Sequence, residues 1–574
     1  MKLILKEYLA SLKERNELDA ILPGLLSALG LTVYSTPRRG TRQYGVDVAA
    51  YGSLDGGEEK VYLFSIKAGD LTRSSWDGDP AQSLRPSINE IIDTYIPSHL
   101  PQEHQNKPKI ICLCFGGDIQ EQLRITVTQF ETANTKNGIS FEEWNGDKLS
   151  TLIISSFLRE ELLPKERRSL LRKALAFVDE PEISYKFFLN LVLQVARAKD
   201  SGELDSITAL RQLNICLWIL HSWSRQANNL EASYLASELT LLQTWNIAKP
   251  FLQKTTKEAK VVWTVWASLL HLYNLVSFDF IAGKVLPYVD KSHALSVAIR
   301  ASNKVDVNLK MFDLLGRLAL LGVFCFYSIQ SSNADDEESL KLLREEYFRI
   351  NSAIKHLIVN NRSLMLPYKD DQAIDISIAV WFLSLDSNND EFIKDWLMEL
   401  INLAEFNFNT HGHYPCNIQE YYELIDYPEL STDEYRAEIT QGSILYPTIS
   451  LLSAILNFDE LFRTVALFKE TSLEHCNFQL WFPDDDSEKY LYTNESSHGL
   501  TLSDIKVTAT HQEYLNQVFD ECKATTFFDD LSVVKLNLWP LLFVASRHYR
   551  FPLPCQFFKM LYEFRKASIQ NLDN

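Results

Sequence analysis

The segment KIICLCF, residues 109–115, constrains the first part of this chain more than any other feature. Pro108 and Gly116 bound it, it is too short for an ordinary helix, and it is apolar at both odd and even positions. Such a run reads as a strand buried on both faces, so it needs a layer of structure above it and another below. The flanking sequence can supply both layers. Residues 1–30 carry apolar side chains at helical spacing, with Leu18, Ile21, Leu22, Leu25, Leu26 and Leu29 on one face and Gly30 placed to cap the C-terminus. Strands are predicted over 31–34, 46–51 and 60–67, the last (KVYLFSIK) alternating and rich in β-branched and aromatic residues after a turn at Gly56 and Gly57. A loop over 70–86 holds Trp76, read as a core anchor rather than a base-stacking group. A short helix over 87–96, a helix over 120–132, a strand over 139–144 and a closing helix over 147–157 complete a mixed α/β sandwich.

From Pro164 onward the periodicity changes. Long helical patterns run from residue 166 to residue 568, strand signals nearly vanish, and no fixed repeat length emerges. The expected fold class is therefore an α/β N-terminal domain followed by a mostly α-helical, bundle-like or solenoid-like C-terminal region. A chain of 574 residues is too long for one hydrophobic core, so domains are expected over 1–160, 161–335 and 336–574, with the acidic turn NADDEE (333–338) at the second break.

Charge separates the two parts. Residues 1–160 hold 17 Lys and Arg against 21 Asp and Glu, a net of -4, so about -15 of the chain's -19 lies in the helical region. Affinity for a phosphate backbone comes largely from counterions released by Lys and Arg, so any nucleic-acid contact belongs to the N-terminal part. The eight cysteines lack any CxxC spacing and read as reduced, buried thiols in a cytoplasmic protein. The N-terminus has charges interspersed among its apolar residues, unlike a signal peptide, and the most apolar run, residues 318–329, is shorter than a membrane span, so no membrane partner is expected.

Candidate chemistry lies on the second and third predicted strands. Gly45-Val46-Asp47 opens one and Ser65-Ile66-Lys67 closes the next, so antiparallel pairing delivers Asp47 and Lys67 to the same end of the sheet. A carboxylate can hold Mg²⁺ through hard oxygen, with the Ile66 carbonyl as a further ligand, and an ammonium beside it can orient water or stabilise developing charge. Arg38, Arg39 and Arg42 in the preceding loop could grip a phosphate backbone. His411, His413 and Cys416 are closely spaced, yet they lack the fourth ligand of a structural zinc site.

This arrangement resembles the PD-(D/E)xK nuclease superfamily, and within it the Mrr-type restriction endonucleases. The resemblance covers about the first 157 residues: an acid-bearing helix ending LLSALGLTV, then GVD, a strand ending in xxK, the strand KIICLCF and the closing FEEWNGDKLSTLI. It implies a nuclease dependent on Mg²⁺ (or Mn²⁺) that hydrolyses phosphodiester bonds, DNA favoured, with Asp47 as metal ligand and Lys67 as the group that orients or activates water. In that family a metal-supporting Glu on the first helix lies about eleven residues before the glycine, a place held here by Asp19, with Glu17 as the alternative. The family's acid two residues before the lysine is replaced by Ser65, and Glu90 in SINEII is the residue that could restore it from the following helix. The other reading is a catalytically degenerate domain that binds nucleic acid or scaffolds a partner. The resemblance also implies a setting in prokaryotic defence against phage or plasmids and pairing of protomers. Without a GxxxxGK[ST] motif, any NTPase or sensor is expected on a separate subunit.

Overall fold

A computed structural model describes residues 2–36, 43–54, 56–79, 83–156, 165–252, 254–299, 301–332, 337–430, 432–494, 499–502, 507 and 510–572. The chain divides into two compact units, Met1–Leu272 and Tyr273–Asn574.

The first unit begins with α1 (Lys2–Ser11); after an extended step at Lys13 (ψ 156°), one widened helical turn, Glu14–Leu18, leads directly into α2 (Asp19–Ala28). In that turn the Leu18 N–H donates to the Lys13 carbonyl at 3.1 Å, and the Asp19 N–H donates to that of Glu14, each five residues back rather than four. The sequence spacing predicts one continuous helix here; the extended Lys13 breaks it and the widened turn restarts it, and neither leaves a mark in the apolar spacing, because Leu5, Leu9, Leu12, Leu18 and Leu22 are all buried. Gly30 closes α2 with φ of 87°, as expected of a helix-terminating glycine.

Five strands follow: β1 (Thr32–Ser35), β2 (Val48–Gly52), β3 (Lys60–Lys67), β4 (Lys109–Phe115) and β5 (Ile139–Trp144). They lie side by side in chain order, antiparallel from β1 through β3 and parallel from β3 through β5. Register pairs Val48 with Phe64 and Lys67 with Phe115. The β3–β4 crossover carries α3 (Arg73–Asp77), α4 (Leu84–Glu90) and a widened helix Ile91–His99, and the β4–β5 crossover carries α5 (Glu121–Asn134). The latter two elements extend beyond the boundaries predicted from spacing.

Alternation sorts the sheet into two buried faces. Ala49, Val61, Leu63, Ile111, Leu113 and Phe115 pack on Trp76, Leu84, Ile88, Ile91, Leu123 and Val127. Trp76 is thus the core anchor its sequence context implied, with its ring edge-on to Phe130 at 5.4 Å. The opposite face presents Val48, Ala50, Phe64, Ile66, Cys112 and Cys114, all fully buried. There α2 and α6 (Gly146–Ser156) cover the sheet, with α1 against α6, and Trp144 meets Phe64 edge-on at 4.9 Å. Full burial of each large apolar side chain contributes about 1.5–3 kcal/mol, so the doubly buried β3 and β4 anchor the domain.

The rest of the first unit is helical: α7 (Lys165–Ala176), α8 (Pro181–Asp200), α9 (Ser206–Gln226), α10 (Glu231–Ala248) and α11 (Lys257–Lys284), the last of which runs into the second unit. Within the second unit, helix Lys304–Ser331 packs against Glu337–Asn360 and Ala373–Leu383. Asp313 on that helix accepts from Arg317 at 3.0 Å and from Arg547 at 2.8 Å, in surroundings that leave both guanidiniums nearly solvent-free. Helices Leu445–Ile455 and Asp459–Thr471 are separated where Asn457 turns the chain with φ of 59°. Helices Lys257–Lys284 and Lys304–Ser331 are long and apolar enough to cross a bilayer by length and composition. In the fold, 44% and 67% of their most apolar windows are buried within the protein. All eight cysteines are free and buried.

Candidate functional site

Asp47 immediately precedes β2, and its own N–H donates to the Phe64 carbonyl at 2.8 Å, extending the β2–β3 ladder by one step. Its position depends on Gly45. At φ of 80°, Gly45 brings the loop so close to α4 that a Cβ would lie 2.1 Å from the Ser87 carbonyl oxygen. Any side chain there would push α4 from the sheet and shift the approach to Asp47. The Asp47 carboxylate then turns to the end of β3, where Oδ2 accepts the Ile66 N–H at 2.7 Å.

Lys67 is the last residue of β3. Its side chain is 11% exposed, and Nζ donates to Glu14 Oε2 at 3.1 Å. The widened turn between α1 and α2 presents Glu14 to this strand end. Burial pushes the Asp47 carboxyl up to about 6; the Ile66 N–H and the Lys67 charge oppose that rise, and the charges of Glu14 and Asp19 add to it. The charges of Lys67, Glu14 and Asp19 thus all bear on Asp47 at one end of the sheet. Asp19, the first residue of α2, is half-buried.

The other residues singled out from the sequence have different surroundings. Glu17 is 1% exposed, and Arg225 of α9 grips it with two hydrogen bonds, at 2.6 and 3.0 Å. Its remaining contacts are the Lys13 N–H at 2.8 Å and the Lys13 ammonium at 3.7 Å. Burial alone would raise the Glu17 carboxyl, but Arg225 and Lys13 outweigh it and hold the group below the ordinary carboxylate range. Glu17 is thus an anchor for the turn, whereas Glu14, three residues earlier, faces the lysine. Ser65, two residues before Lys67, is 1% exposed, and among the described residues its hydroxyl makes no hydrogen bond. Glu90 ends α4, half-buried and one turn beyond Ser87. Arg38, Arg39 and Arg42 lie outside the described residues.

Glu14 is the site residue that sequence reasoning passed over. The spacing of the resembled family, about eleven residues before the glycine, points to Asp19 with Glu17 as the alternative, and the five-residue hydrogen bonding that redirects Glu14 leaves no mark in the apolar pattern. Three nearby acids and a lysine would have been the available signal.

Among the described residues, no three His, Cys, Asp or Glu side chains converge closely enough to hold a metal ion by themselves. In particular, His413 is buried among the rings of Tyr368 and Tyr427, and the Cys416 thiol donates to the Tyr368 carbonyl at 3.3 Å. Mg²⁺ does not require a cage of three protein acids. It is commonly held by one or two carboxylates and retains several waters, so Asp47, a second acid and the Ile66 carbonyl form a chemically suitable donor set. The mutual repulsion that helps raise Asp47 is what a divalent cation would relieve. No family model, curated protein or solved structure matches the chain.

Proposed function

We propose that the N-terminal α/β domain is a divalent-metal-dependent nuclease of the PD-(D/E)xK, Mrr-like type that hydrolyses phosphodiester bonds, DNA favoured. The observation that carries this reading is the meeting of Asp47 and Lys67 at one sheet end: the acid's carboxylate is bound to the Ile66 N–H and feels the charge of the adjoining lysine. Asp47, with Asp19 or Glu14 and the Ile66 carbonyl, would hold Mg²⁺ or Mn²⁺. When bound, the ion supplies Lewis-acid stabilisation of the phosphoryl oxygens and a more acidic water. The chain's own contribution is positional. The Ile66 N–H fixes the Asp47 carboxylate, the β3–β4 pairing fixes the Lys67 backbone, and the ammonium lies where it can orient water and offset charge developing on the phosphate. Glu14 holds that ammonium toward the acids.

In this reading Glu90 remains the substitute ligand for the acid missing at Ser65, and the three arginines before β2 supply backbone phosphate contacts. The helical region would sense a signal, pair protomers or dock a separate NTPase, in a cytoplasmic effector of prokaryotic defence. A second reading, a degenerate domain that binds nucleic acid or scaffolds a partner, is favoured by Ser65 and by the lack of three convergent acids among the described residues.

The test is incubation of the full chain with supercoiled plasmid, linear duplex and single-stranded DNA in Mg²⁺ or Mn²⁺. Cleavage lost in both Asp47→Ala and Lys67→Ala supports the enzyme. Binding without cleavage, or cleavage indifferent to both substitutions, overturns it.

A further inference from the structure

The widened turn Glu14–Leu18 carries two acids that face in different directions. Glu14 pairs with Lys67 at 3.1 Å, and Glu17 pairs with Arg225 at 2.6 and 3.0 Å. In an ordinary α-turn, residues three apart lie on nearly the same face. The five-residue hydrogen bonds Leu18 to Lys13 and Asp19 to Glu14 open the turn and spread the two side chains apart around the axis. The widened turn follows an extended residue, Lys13, and is less regular than the α2 helix it leads into, so side-chain contacts bear on its shape. The strongest hold visible is Arg225, in the last turn of α9 and 208 residues away in sequence from the acid it grips. A bidentate guanidinium–carboxylate pair fixes angle as well as distance, and Glu17, at 1% exposure, has no water to turn to if the pair breaks.

We infer that Arg225 is a positioning residue for Lys67: by clamping Glu17 it keeps the turn widened, and the widened turn keeps Glu14 on the lysine ammonium. The helical segment that follows the α/β domain thereby sets the placement of the lysine at the sheet end. Movement of α9 would release Glu17, let the turn relax, and free Lys67 from Glu14. The consequence for cleavage rests on the nuclease reading given above; the placement of Lys67 does not.

The test reads Lys67 directly. Reductive methylation of the full-length protein with formaldehyde and cyanoborohydride, followed by peptide mass spectrometry, reports how readily each lysine amine is reached. Lys107 and Lys148, each paired with its own acid elsewhere in the α/β domain, serve as internal references. Glu14→Gln, which removes the partner itself, sets the response of a released Lys67. The informative variant is Glu17→Gln combined with Arg225→Met, because replacing both members of a buried pair by neutral groups preserves stability far better than removing one. Arg225→Lys, which keeps the charge but not the bidentate grip, is the milder companion should the double substitution fold poorly.

In the double variant Lys67 labelling is expected to rise about tenfold toward the Glu14→Gln level, within the range of ordinary coupling between sites, and Arg225→Lys to give a smaller rise. Lys107 and Lys148 stay at their wild-type rates. Unchanged Lys67 labelling in either folded variant overturns the inference. A rise shared equally by all three lysines also overturns it, since Arg225 would then merely hold the fold together. Parallel plasmid assays separate the two proposals: a wild-type chain that never cleaves sinks the nuclease reading and leaves the labelling result standing.

Discussion

Removing the charge at Asp47 is expected to stabilise the first unit while it disables the site. The carboxyl rises from 3.8 to about 6 on folding, a change worth about 3 kcal/mol against the ionised form. In Asp47→Asn the amide oxygen can still accept the Ile66 N–H, so the hydrogen bond at 2.7 Å survives and the desolvated charge disappears. Lys67 loses one attraction but keeps Glu14 at 3.1 Å, which offsets little of the gain. A net stabilisation of about 1–3 kcal/mol at pH 8 follows, or a few degrees in the melting temperature of a unit this size. The sign with pH is definite. A raised carboxyl binds its proton more tightly in the folded state, so wild-type stability increases as pH falls through about 6 and levels off below 3.8. The gap between variant and wild type should therefore be widest above pH 7, shrink by roughly half near pH 5, fall to about a quarter near pH 4, and close below that. Scanning calorimetry of both proteins across that range, following the transition of the first unit, is the assay. An asparagine variant that melts below wild type at pH 8, or a gap that ignores pH, would refute the reasoning.

Two further outcomes follow from the same geometry. Lys67→Met removes the ammonium but none of the acids, so cleavage should fall about 100-fold or more while metal binding persists; Glu14 is 31% exposed and stays hydrated, so melting should barely move. In the second unit, Asp313→Asn removes the negative charge shared by Arg317 and Arg547 while leaving an oxygen that can accept, and should cost about 1.5–3 kcal/mol, seen as a lower melting transition for that unit. Burial works against the ionised Asp313, but Arg317, Lys310 and Arg547 together hold its carboxyl far below the usual range. Its contribution should therefore be complete above pH 4 and lost only as pH falls well below that.

Much of the architecture could be read from apolar spacing. KVYLFSIK, KIICLCF and the segment 139–144 form strands over the predicted residues, because each is an apolar or alternating run bounded by a turn. The placing of Asp47 and Lys67 at one sheet end followed from the antiparallel order of β2 and β3, although the connection between them, 53–59, is longer than a tight turn. What the spacing did not reveal was local hydrogen bonding that leaves the apolar pattern untouched. The extended Lys13 split the first helix, the five-residue bonds after it redirected two acids, and the left-handed Asn457 separated two later helices. The role of Glu17 was hidden for a different reason: its partner Arg225 is distant in sequence, and burial of a charge depends on who arrives to pair with it.

The most direct test of the account is a Mn²⁺ titration of the full-length wild-type protein and Asp47→Asn at pH 8, with free ion followed by electron paramagnetic resonance. Wild type is expected to bind the ion at a tight site that is lost in Asp47→Asn, although the variant melts at a higher temperature. Equal binding by the two proteins would contradict it, because the ion would then be held by groups other than the carboxylate at the end of β3.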